Sequence, residues 1–191
     1  TFLNTGRLVL GDAAADSLSF AGGLTATAPS AISAAGTVNT SNTAMRLGDS
    51  DTAITLTGDL TLSTAGGDLT LGGALNGTAA NTQSLTLNAG SAGAVGVTGA
   101  VGQTTSLRTL TLANSNGATF SSAVTTGTSV VLSDTVAGQT IRFADDLSTP
   151  ALTTTANGYH LELLGSNTHV TGNTTFLNTG RLVLGDAAAD S

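Results

Sequence analysis

The chain has 191 residues with no lysine, cysteine or tryptophan, and its five arginines stand against twelve acids for a net charge of −7. That balance excludes a nucleic-acid partner, which needs clustered Lys and Arg to displace counterions, and it argues against an anionic membrane surface. It also excludes disulfide and thiolate chemistry, and no apolar run approaches the roughly 20 residues that would span a bilayer, so no membrane insertion is expected.

Only 9% of residues are charged, against about 25% in an ordinary soluble domain. Gly, Ala, Ser and Thr fill the space, which could signal disorder. The 40% hydrophobic content opposes that reading, because it falls in short alternating bursts that disordered chains lack.

In chain order the bursts are Leu8 with Leu10, Leu18 with Phe20, Met45 with Leu47, Ile54 with Leu56, and Leu60 with Leu62. Leu69 with Leu71, Leu85 with Leu87, Val95 with Val97 and Leu110 with Leu112 follow. Phe120, Val130 with Leu132, Ile141 with Phe143, and Leu161 with Leu163 complete the series. Alternation at period two marks a half-buried strand. Asn76-Gly77, Asn116-Gly117, Asn157-Gly158, Gly66-Gly67 and Gly72-Gly73 read as turns between them. No segment sustains a 3.6-residue apolar period; the one place for a short helical turn is Asp12 to Asp16.

The fold these strands specify is all-β. Their core residues are Leu, Val, Ile and Phe, too slight to fill a sandwich whose sheets stand about 10 Å apart. A narrow coil suits them better. The stretch SLTLNAGSAGAVGVTGAV from Ser84 resembles TLTLANSNGATFSSAV from Thr109. Each holds a Leu pair, a small-residue turn and further short strands. We read this as one rung of a parallel β-helix, with three short strands in about 20 to 25 residues.

One feature sets the organisation of the chain. Residues 1–17, TFLNTGRLVLGDAAADS, recur letter for letter as residues 175–191. Structural repeats keep packing positions and let surface residues drift, yet here Asn4, Arg7 and Asp16 are matched by Asn178, Arg181 and Asp190. The expected organisation is a tandem array: residues 1–174 are one unit, and 175–191 begin the next identical one. At the spacing of hydrogen-bonded strands, a unit of about eight rungs is roughly 38 Å long. The strand at Leu8 and Leu10 is expected to pack as its twin at Leu182 and Leu184 does.

GDLTLSTAGGDLTLGGALNG (58–77), GQTIRFADDLSTPALTTTANGYHLELLG (138–165) and the duplicated seventeen residues resemble the long tandem repeats of giant bacterial surface proteins. These are the filamentous-haemagglutinin-like β-solenoid adhesins and the beta strand repeat proteins. The resemblance rests on a style of repetition over the whole chain and on no catalytic motif. It implies a secreted, right-handed parallel β-helix at the bacterial cell surface, serving as stalk, adhesin shaft or fibre. The partners it implies are neighbouring repeats of the same chain, with lateral self-association into fibres or a sheath.

Candidate sites are few. Asp145 and Asp146 are the best candidates for calcium, which takes oxygen ligands. Asp49 with Asp51, Asp12 with Asp16, and Asp59 with Asp68 stand beside them, but the G-G-x-G-x-D repeat of calcium-binding β-rolls is absent. The competing reading is that these aspartates cap turns through backbone N–H groups. His160 and Glu162 share the outward side of one strand, with His169 nearby, but a transition metal normally needs three or four converging ligands. There is no nucleophile with a base and no G-x-S-x-G motif, so no catalytic residue, organic cofactor or enzyme is expected. Arg46 and Arg142 should point outward and pair with acids on neighbouring rungs. An alternative role is a flat threonine-rich face binding polysaccharide or ice, suggested by the T-x-T pairs at Thr25, Thr55 and Thr109. Their starts are not evenly spaced, which counts against it.

Overall fold

The computed structural model describes residues 1–185, and over them the chain is a β-solenoid of about eight turns, all parallel and without a helix. Three strand positions recur in each turn and define three faces around one core. The third face is an eight-stranded sheet running from Leu24–Ala26 through Met45–Leu47, Leu69–Leu71, Val95–Val97, Ala118–Phe120, Thr140–Phe143 and His160–Leu163 to Leu182–Leu184. The first face starts at Arg7–Leu10 and reaches His169–Val170, and the second runs from Ser17–Phe20 to Leu152–Thr154. These two belong to one eleven-stranded sheet, because Ala31–Thr40, Ala53–Ser63 and Val124–Leu132 pass from the first face to the second within a single long strand.

The length of a turn varies along the coil. On the third face Leu24 is followed in register by Met45, Met45 by Leu69, Leu69 by Val95, and Ile141 by Leu161. The alternating bursts supply the core as expected. Val38, Leu62, Leu87 and Leu112 lie directly above one another, and all are buried. Phe120 and Phe143 are also in register, and their rings stack with centroids 4.6 Å apart and planes 5° from parallel. Parallel pairing without stagger puts like over like, so a slim column of Leu and Phe fills the coil with no need of bulky residues.

Two glycines show how the corners work. Gly36 marks the register shift between the first and second faces and has φ +80°. A Cβ there would come within 2.9 Å of the Ala13 carbonyl oxygen, and L side chains rarely adopt that backbone conformation. The Asn76-Gly77 pair, expected to be a turn, lies in the strand Leu75–Gly77. Gly77 is small for another reason: a Cβ on it would stand 2.6 Å from the Gln83 side-chain oxygen, which accepts the Thr78 N–H at 3.2 Å. Residues 11–16 form a tight turn. The Asp16 carboxylate accepts the Asp12 and Ala13 N–H groups there, at 2.8 and 3.1 Å.

One expectation is overturned. Arg7–Leu10 lies on the first face, paired with Ala31–Ala34, whereas the twin strand Leu182–Leu184 lies on the third, paired with Leu161–Leu163. The physical reason is chain length. First-face register is last met at Val170. Leu182 follows Val170 too closely to complete a turn, since even the short turn from Ile141 to Leu161 takes more chain than that.

Core truncation should therefore cost far more than truncation of the neighbouring outward residue. Leu87→Ala is expected to lower unfolding free energy by about 2 to 5 kcal/mol, and Thr86→Ala by less than about 1 kcal/mol. Denaturant titration followed by circular dichroism measures both; equal losses would contradict the assigned alternation.

Candidate functional site: an outward threonine column and an open coil end

Alternation sends every second residue of the second face outward. There Thr37, Thr61, Thr86 and Thr111 stand in consecutive register, one per turn, each half-buried. Ser17 precedes them, and Val131 and Thr153 follow. A second outward column, Asn39, Ser63, Asn88 and Asn114, runs beside the first. The four threonines recur at nearly equal steps along the chain. The T-x-T pairs singled out in the sequence do not form this surface together. Thr25 is on the third face, Thr55 on the first, and Thr109 with Thr111 on the second.

The aspartates act between turns. Asp59 accepts the Ser84 N–H at 2.8 Å, Asp68 the Ala94 N–H at 3.0 Å, and Asp146 the Asn167 N–H at 2.8 Å. Each carboxylate thus clamps the backbone one turn further on, a longer reach than the local cap expected of it. Asp145 does cap locally, accepting the Asp146 N–H at 2.8 Å. Asp49 closes its own turn, accepting from the Thr52 hydroxyl at 2.8 Å and the Asp51 N–H at 3.2 Å. Among the described residues no three His, Asp or Glu side chains gather where they could hold a metal ion. His160 and Glu162 share the third-face strand His160–Leu163, as expected, but His169 belongs to the other sheet. His160 Nδ1 instead accepts the Arg181 N–H at 2.7 Å.

Arg46 and Arg142 both point outward on the third face as expected, but among the described residues Arg46 meets no acid and Arg7 reaches only the Ser33 hydroxyl at 3.1 Å, while the other three arginines pair across turns. Arg108 meets Asp59 at 2.9 Å, bridging two turns, and Glu162 receives both Arg142 and Arg181. Both partners of the first pair are about half exposed, so it adds at most about 1 kcal/mol.

Among the described residues the last turn of the coil bounds an open cup of about 390 Å³, lined by Leu163, Val170, Thr174, Phe176, Leu184 and Gly185 among others. Phe176, Leu184 and Gly185 of its lining belong to the second copy of the duplicated segment. In the first copy Leu8 and Leu10 are 9% and 1% exposed, covered by Ile32 and Ala34; their twins Leu182 and Leu184 are 38% and 61% exposed. The inward parity is the same in both copies, because Leu182 and Leu184 stand over the buried Leu161 and Leu163. Sequence reasoning could find the twins but not the cup, which depends on which face each twin reaches.

No protein-family model, curated protein or solved structure matches this chain.

Backbone and hydroxyl donors hold the Asp16 and Asp49 carboxyls below the ordinary aspartate range: for Asp16 the Asp12 and Ala13 N–H groups, for Asp49 the Thr52 hydroxyl and then the Asp51 N–H. A depressed carboxyl contributes stability that is complete above its unfolded value and is lost as pH falls through the folded one. The thermal midpoint should accordingly drop on acidification below about pH 4. In Asp16→Asn/Asp49→Asn the midpoint at neutral pH should be lower and the acid-induced drop smaller. An undiminished drop would show that these two turns do not titrate with folding.

Proposed function

We propose that the 174-residue unit is a non-catalytic structural module of a long extracellular filament or adhesin shaft on a bacterial surface. Units stack head to tail into a stiff fibre, and its partners are neighbouring repeats of its own chain. The observation that carries this reading is the condition of the duplicated segment. Its leucines are buried where a following turn exists and open where none is described. A following copy would supply the missing turn from the same sequence that covers the first copy. Unbroken ladders through each junction would leave few exposed strand edges, which suits a chain with so few charged residues to guard them.

Chains carrying one, two and four units, imaged by electron microscopy, test this directly. Rods should lengthen by about 38 Å per unit at constant width, with a cross-strand spacing of about 4.8 Å. Globular beads on flexible tethers would sink the proposal.

The threonine column favours a second reading, a face that binds polysaccharide or ice. Replacing Thr61, Thr86 and Thr111 by Lys should then abolish retention on insoluble polysaccharide, or thermal hysteresis, while leaving the fold intact. If the unsubstituted chain shows neither activity, the column is only the solvated side of a strand stack.

A further inference from the structure

The two copies of the duplicated segment meet the coil at different angles. Leu24, in the same turn as Leu8, lies on the third face, and so does Leu182 seven turns later. Leu8 itself lies two faces before Leu24, on the first face. From Leu8 to its twin is therefore seven and two-thirds turns, one face short of eight.

A second pair of twins gives the same answer. The Phe2 N–H donates to the Thr25 carbonyl at 2.8 Å, which sets Phe2 beneath the third face. The Leu177 N–H, next to Phe176, instead meets the Thr154 hydroxyl at 2.7 Å, at the end of the second face. Both twins have slipped back by one face while keeping their inward parity.

The segment can satisfy both sets of neighbours at once, because each copy shows one side of it. The second copy shows what lies below: Leu161 and Leu163 under Leu182 and Leu184. The first shows what lies above: Ile32 and Ala34 over Leu8 and Leu10, and the Phe20 ring edge-on to Phe2 at 6.0 Å. Phe176 lines the open cup together with Thr174, whose hydroxyl is buried with no partner among the described residues.

We propose that the cup is the seat of the next unit, occupied by its counterparts of Phe20, Ile32 and Ala34, and that each unit enters one face out of phase with the last. The inference rests on the head-to-tail reading above and adds its geometry. Successive units are turned by a third of a coil, and the true axial period is three units, 23 turns, or about 110 Å. The threonine column of the second face then continues in line with the first face of the preceding unit. It winds around the fibre in blocks, so lateral contacts are offered on all sides and no single flat face runs the length of the shaft.

The phase can be tested in the 191-residue chain, which has no native cysteine. Outward positions Glu162 and Val183 are in register across adjacent turns, within the Cα separation that thiol cross-links tolerate. Had the unit kept phase, Val183 would instead lie on the first-face column beside His169. A short fluorogenic bis-alkylating reagent should therefore join Glu162→Cys/Val183→Cys and leave His169→Cys/Val183→Cys unjoined; the reverse pattern overturns the proposal. In a chain of six units carrying Thr86→Cys and gold labels, labels should change side from unit to unit and realign every third. Labels aligned at every unit on a continuous rod would overturn the phase alone. Beads without a rod would overturn the stacking reading and the phase with it.

Discussion

Parallel hydrogen bonding from each turn to the next, in register along each face with shifts only at corners such as Gly36, is the constraint from which the rest of the molecule follows. It fixes which residues can neighbour one another: each side chain sees the one a turn below and the one a turn above. Leucine over leucine builds the core, and threonine over threonine builds the outward column. The same constraint explains the near-absence of charge. An interior turn has no free strand edge, so it needs no lysine to discourage pairing. Several of the few charges present, such as Arg108 with Asp59 and Arg142 with Glu162, act between turns, and others, such as Asp16 and Asp49, close their own turns.

The ladder also makes the coil's end unlike its middle. Interior leucines have neighbours on both sides, whereas Leu182 and Leu184 have a turn below and no turn above among the described residues. Since their twins near the start are covered by residues that would follow again in a repeated array, the chain carries in its own sequence the complement of its open end. A tandem repeat of such a coil needs no linker and no separate interface. It needs only the corner glycines and inward parity to persist through the junction.

Much of the architecture was legible because period-two alternation and short small-residue turns leave little choice. The Leu85–Asn88 and Leu107–Asn114 strands, the approximate turn length and the count of about eight turns could all be read from residues. The threonine column could not. The column takes one threonine per turn, and of Thr37, Thr61, Thr86 and Thr111 only Thr111 has a second threonine two residues away, so a search along the chain for T-x-T pairs collects threonines from three different faces instead. The reach of Asp59, Asp68 and Asp146 to the next turn was hidden for the same reason, because local sequence shows a turn residue's neighbours along the chain and not across the coil. Gly77 read as a turn although it lies in a strand, its missing side chain leaving room for Gln83.

Hydrogen exchange at one amide tests the continuity of the coil most directly. The Leu161 N–H donates to the Arg181 carbonyl one turn on, at 2.9 Å; Leu182 stands directly above Leu161 and needs the same acceptor from a following turn. In the 191-residue chain its amide should exchange freely. In a chain extended by one further unit it should become as protected as that of Leu161. Free exchange in both chains would mean that the ladder stops at the junction, and that the units are separate coils joined end to end by nothing but the covalent chain.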